Sequence, residues 1–124
     1  MTNKIEAGRE LDAEVAERVM GLRTRPRSWS KEGPCLQEAP GKPWRIIPHY
    51  STSVADAWEV VEKIRSASKL SVIVEASTNP TEYICAVGAH HRGQWIETVR
   101  AVSESAPAAI CAAALRLNDK GEGK

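Results

Sequence analysis

The chain has no phenylalanine, only three cysteines and two methionines, and no apolar run of 18 residues anywhere in its 124. Without such a run no segment can cross a membrane as a helix. Cys35, Cys85 and Cys111 are odd in number and widely separated, with no C-x-x-C or C-x-x-H spacing. That pattern argues against a disulfide framework and fits a reducing compartment. Cys85 and Cys111 lie inside apolar segments and read as small core residues. A charge excess is missing as well, since 17 Lys+Arg stand against 16 Asp+Glu for a net +1. Such a balance excludes a globally basic nucleic-acid binder and an acidic disordered tail. Met1 to Glu17 is polar and acidic, unlike a secretory signal peptide, so a cytoplasmic setting is expected.

Catalytic signatures are also wanting. The sequence has no G-x-S-x-G, no glycine-rich phosphate loop, no H-E-x-x-H and no EF-hand loop, so neither an enzyme nor a cofactor is expected. The adjacent pair His90-His91, followed by Arg92, is the one reactive cluster. Neighbouring residues on a strand point to opposite sides and seldom chelate one metal together. A metal-dependent enzyme would need His49 to converge on His90 and His91, and a solvated hairpin loop is the simpler reading. Glu75 and Glu82 flank one turn but read as ordinary wet strand ends.

What is present divides the single domain, 1–124, into four stretches. From Ile5 to Gly21 the spacing of Leu11, Val15, Val19 and Leu22 predicts a helix with one narrow apolar stripe. So narrow a stripe suits packing at the domain edge or self-association into a homo-oligomer. Residues 23–49 hold five of the seven prolines and six basic residues against two acidic ones. The segment therefore carries +4 and leaves −3 for the rest of the chain. Prolines at that density predict a long loop with neither a continuous helix nor a central strand. Residues 53–117 read as helix, strand, strand, strand, helix. The first helix begins at a Ser53 cap and presents Val54, Ala57, Trp58, Val61 and Ile64 as its buried face, with Trp58 the core anchor. Strands follow over Leu70–Ala76, Glu82–Val87 and Gln94–Val102, with a loop over Gly88–Gly93, and the short connections predict an antiparallel meander. Pro107 opens an alanine-rich last helix, and 118–124 reads as a fraying polar tail. The fold class is α+β, a small three-stranded meander packed with helices.

The helix–strand–strand–strand–helix order is similar to a double-stranded RNA-binding domain. The start of the last helix, Ser103-Glu104-Ser105-Ala106-Pro107, lacks the lysines with which such domains meet phosphate. The basic segment is the better candidate binding surface. Arg25, Arg27, Trp29, Trp44, Arg45 and His49 combine groups that stack with groups that pair with anions. The alternative for Trp29 and Trp44 is that both fold back onto the small core.

Several stretches together resemble the phage ABA sandwich domain family. They are Glu6-Ala7-Gly8-Arg9-Glu10-Leu11-Asp12 with Val15-Ala16-Glu17, then Pro48-His49-Tyr50-Ser51-Thr52-Ser53, Ala57-Trp58-Glu59-Val60-Val61, and Ala106-Pro107-Ala108-Ala109-Ile110-Cys111. The resemblance implies a phage or prophage product with a sheet between helical layers, and implies no reaction. Small phage proteins often modulate host machinery, bacterial immunity included. On these grounds the expected function is inhibition of bacterial defence in the host-cell cytoplasm, by binding a host or foreign protein or by sequestering a small anionic nucleotide signal. Nucleic-acid binding through the same segment is the alternative.

Overall fold

The computed structural model describes residues 8–25, 35–79 and 81–120. The first helix, α1 (Arg9–Glu14), passes directly into a π-helical turn over Val15–Val19, where the Met20 amide reaches back five residues to the Val15 carbonyl at 3.0 Å. Gly21, in the left-handed region at φ 72°, ends it, and the Leu22 amide closes on the Ala16 carbonyl at 2.9 Å. The stripe proves broader than its sequence spacing: Leu11, Asp12, Val15 and Ala16 are all buried against the rest of the chain. Val19, Met20 and Leu22 continue that face as partly buried residues packed against the core.

The proline-rich stretch is not wholly irregular. It forms a small antiparallel sheet, β1 (Arg23–Arg25), β2 (Cys35–Gln37) and β3 (Arg45–Ile46), in the order β1-β2-β3. Its central strand lies within the region where the proline count predicted none. The strands are only two or three residues long and fall between Pro26, Pro34, Pro40, Pro43 and Pro48, so no proline has to donate to the ladder. Leu36 and Ile47 are fully buried and join this sheet to the common core.

α2 (Val54–Ser68) starts where the sequence places it, the Ser53 hydroxyl accepting from the Asp56 amide at 3.3 Å. Its buried face is Ala57, Val60, Val61 and Ile64. Trp58 is 52% exposed and Val54 60%, so Trp58 is not a core anchor. With about 100° between successive residues, a stripe centred near Ala57 and Ile64 includes Val60 and leaves Trp58 well to one side. Spacing alone fits both phases. The alanine-rich partner helix selects the phase that brings small side chains into contact.

The second sheet is the expected meander, β4 (Ser71–Ala76), β5 (Tyr83–His91) and β6 (Gln94–Ser103), antiparallel throughout. The expected loop over Gly88–Gly93 is strand as far as His91. Gly88 sits in the ladder at a register shift where two residues of β6 oppose one of β5. A Cβ there would lie 2.2 Å from the Ile96 carbonyl oxygen, so this glycine permits close backbone approach and does not break the strand. The turn is the two-residue Arg92-Gly93, both at positive φ (54° and 80°), as tight hairpins require.

α3 (Ala106–Asp119) is capped by Ser105 and buried around nearly its whole circumference, from Pro107 to Leu115 and at Leu117. It packs on all three strands of the meander, with α2 beside it and the π-helical turn against it. Among the described residues α3, with α2 and the π-helical turn beside it, forms a helical layer against the meander. α3 also runs into the expected tail: Asp119 pairs with Arg18, and Lys120 Nζ donates to the Thr98 carbonyl at 3.0 Å. No described helix is long and apolar enough to cross a membrane.

Candidate binding surface

The segment 47–53 is held in place by a polar cluster that begins at the N-terminus of α1. Asp12 is fully buried and accepts three hydrogen bonds: from the Ser51 amide at 2.7 Å, the Ser51 hydroxyl at 2.7 Å and Arg9 Nη1 at 2.7 Å. The Ser51 hydroxyl has one proton, which goes to the carboxylate, and its oxygen accepts the Gly8 amide at 2.9 Å. Arg9 Nη2 donates to the Ile47 carbonyl at 2.6 Å. Arg9 Nη1 also lies 3.1 Å from His49 Nδ1, and arginine can only donate, so Nδ1 accepts and the ring proton sits on Nε2. The His49 amide donates to Asp56 Oδ2 at 2.8 Å. Asp56 thus fastens the start of α2 to the same turn instead of closing a reciprocal box with Ser53. Tyr50, at the middle of this turn, is buried, and desolvation raises its phenol to about 12.

This cluster fixes where the candidate residues fall. The His49 ring lies against Arg9 on the exposed side of this cluster, and its backbone amide is bonded to Asp56. Arg45 lies in β3 opposite Leu36, half exposed, with Nε 3.5 Å from the more exposed Glu38 Oε1. Trp44, just before it, is half-buried. Arg25 occupies the β1 position opposite Cys35, one register row from the Thr24–Leu36–Arg45 row. Arg27 and Trp29 lie outside the described residues. Arg23, which the sequence reading counted only as charge, is exposed and donates to Gln37 Oε1 at 3.3 Å. The described part of the segment therefore presents Arg23, Lys42 and Arg45 with Glu38 the single acid.

The second candidate, His90-His91-Arg92, forms the tip of the β5–β6 hairpin, which extends beyond the Ser71–Gly88 pair that ends the β4 ladder. The His90 ring meets Trp95 edge-on, 5.2 Å between centroids at 61°. His49 does not converge with these histidines: no group of three or more His, Cys, Asp or Glu among the described residues is arranged to hold a metal. Cys85 and Cys111 are buried as the sequence indicated, and desolvation pushes both thiols far above their ordinary range, Cys85 to about 12. They are inert packing groups at neutral pH.

Sequence reasoning missed the joining of Asp12 to Ser51 across 39 residues, and the signal was present in part. Two of the stretches that carry the family resemblance, Gly8-Arg9-Glu10-Leu11-Asp12 and Pro48-His49-Tyr50-Ser51, are the ones this cluster ties together. A small α+β domain with a helical layer against an antiparallel meander, and a second small sheet bearing the basic residues, is the class of protein these observations define.

Comparison with known proteins gives that class a family. The family model of the phage ABA sandwich domain matches residues 13–115, and the chain belongs to that family. A solved structure, the 2.0 Å crystal structure of a phage protein from Bacillus cereus, is similar in fold with a TM-score of 0.64 and 24% identity. The similarity covers 93% of this chain and 94% of that one. No curated protein matches this chain.

Proposed function

We propose that this phage-family domain works by binding and catalyses no reaction. Its target is a host or foreign protein, or a small anionic nucleotide, engaged in the host cytoplasm through the basic 23–49 segment. Inhibition of a bacterial defence system is the role we assign to that binding. One observation carries the reading: Arg45, which follows Trp44 in the sequence, is half exposed, and its ion-pair partner among the described residues is the more exposed Glu38 carboxylate at 3.5 Å. An exposed pair of that length contributes at most about 1 kcal/mol and is readily exchanged for an external anion. Arginine and tryptophan are also among the residue types enriched where interfaces concentrate their energy.

The test is a triple substitution, Arg25→Ala, Arg27→Ala and Arg45→Ala, assayed for target binding beside the wild-type protein. Loss of binding with an unchanged thermal melt supports the reading; equal binding removes the segment from it. Affinity for arbitrary DNA or RNA that falls steeply with salt would instead favour a nucleic-acid binder using the same cations.

A further inference from the structure

The meander has two edge strands, β4 and β6, and their outer backbone groups are treated differently. Unpaired amides and carbonyls on an edge are a template for another extended chain. Along β6 side chains occupy them: Arg116 Nη1 donates to the Arg100 carbonyl, and Lys120 Nζ donates to the Thr98 carbonyl at 3.0 Å. Along β4 the edge is open. Among the described residues no hydrogen bond outside the β4–β5 ladder reaches the backbone of Ser71–Ala76. The strand, Ser-Val-Ile-Val-Glu-Ala, has no proline, no lysine and no register shift to blunt that edge.

Ladder alternation identifies the open groups. The Ser77 amide donates to the Glu82 carbonyl at 3.1 Å, so the residues in step with it, Glu75 and Ile73, turn their amides and carbonyls toward β5. Val72 and Val74 turn theirs outward. The outward Arg100 carbonyl obeys the same alternation along the row Ile73–Ala86–Arg100.

We infer that β4 pairs edge to edge with β4 of a second copy of this chain, antiparallel about a two-fold axis at Ile73, so that two meanders join in one continuous sheet. The strand's self-complementarity selects this occupant. With the axis at Ile73, Val72 of each copy stands opposite Val74 of the other, and the outward amides and carbonyls of all these valines are paired. On the helix side the same valines, half-buried and packed against the core, cover one another. On the other side Ile73, 40% exposed, meets its own counterpart at a non-hydrogen-bonded site, where side chains approach most closely. Glu75, the one charge in the strand, falls opposite Ser71, so no like charges oppose. Moving the axis one residue either way sets Ile73 against Glu75 or Ser71 and loses the match. A strand pairing buries less than a standard interface and belongs with the small, exchanging contacts, so a Kd on the order of micromolar is expected. The inference is independent of the basic segment, which lies on the other sheet.

Sedimentation equilibrium and amide hydrogen exchange on the full chain test it. The wild-type protein is expected to approach twice the chain mass as its concentration rises above the micromolar range. The Val72 and Val74 amides should gain protection over the same range, while Ile73 and Glu75 are protected throughout by β5. Val74→Pro removes an outward N–H that the meander does not use, so the fold should survive while dimerisation weakens by about tenfold or more. Ile73→Lys sets like charges opposite each other at the axis and should weaken it comparably, with an unchanged circular dichroism melt. If Val74→Pro fails to fold, Ile73→Lys decides. Val102→Lys, at a residue 49% exposed on β6, should leave the dimer intact. A wild-type protein that stays monomeric about a hundredfold above micromolar overturns the inference. A dimer that survives Ile73→Lys, or whose Val72 and Val74 exchange does not change with concentration, overturns it equally.

Discussion

Replacing Asp12 by alanine should be among the most damaging single changes available to this chain. The carboxylate is fully buried and receives the Ser51 amide, the Ser51 hydroxyl and Arg9 Nη1, each at 2.7 Å. Without it the Ser51 amide is left buried without its acceptor, which alone costs about 1–3 kcal/mol. Arg9 loses its ion-pair partner while keeping the Ile47 carbonyl and some access to water, since 21% of its side chain is exposed. Breaking a buried pair by removing one partner typically costs about 3–5 kcal/mol. The partial exposure of Arg9 places this case near the lower end, at about 3 kcal/mol. Ser51→Ala is the informative companion. It removes one hydroxyl but leaves the Ser51 amide bonded to Asp12, so about 1 kcal/mol is expected. Equilibrium urea unfolding followed by tryptophan fluorescence measures both, and the two residues should couple in a double-mutant cycle. An Asp12→Ala loss below about 1 kcal/mol, or strict additivity with Ser51→Ala, would refute the claim that this cluster secures the 47–53 turn.

Other predictions follow from single observations. Gly88→Ala sets a Cβ against the Ile96 carbonyl at 2.2 Å and should cost about 1–3 kcal/mol in thermal or urea unfolding, as overpacking does. Trp58→Ala, at a residue 52% exposed, should change stability by no more than about 0.5 kcal/mol. Cys85 and Cys111 should resist alkylation at pH 8 in native buffer and react once urea unfolds the chain, because burial withholds the thiolate. Tyr50 ionises near 12 in the folded state against about 10 unfolded, so its contribution to stability is complete below pH 10. Between pH 10 and 12 the unfolded chain loses this proton while the folded one keeps it. Stability should therefore fall across that window, with the Tyr50 ultraviolet titration lagging a model phenol.

The meander and both capped helices were legible because their signals are local: Val/Ile-rich runs between turns, Ser53 and Ser105 at cap spacing, and Pro107 near a helix start. The phase of α2 was not legible, since apolar spacing admits either Trp58 or Val60 into the buried face and α3 decides between them. Gly88 misled for a related reason. A glycine that serves close backbone contact looks, in sequence, like one that ends a strand. The three short strands within 23–49 exist through long-range pairing, Leu36 with Arg45 among others, and no local propensity announces strands of two or three residues. The contact of the His49 ring with Arg9 was not legible either, because it joins residues 40 positions apart.

Capture from infected-cell lysate tests the proposed function most directly, with wild-type protein and the Arg25/Arg27/Arg45 triple alanine variant as parallel baits. Mass spectrometry of the retained proteins and small molecules is the readout. The account predicts a specific component held by the wild-type chain and lost from an equally folded variant. The same components held in the same amounts by both baits would contradict it.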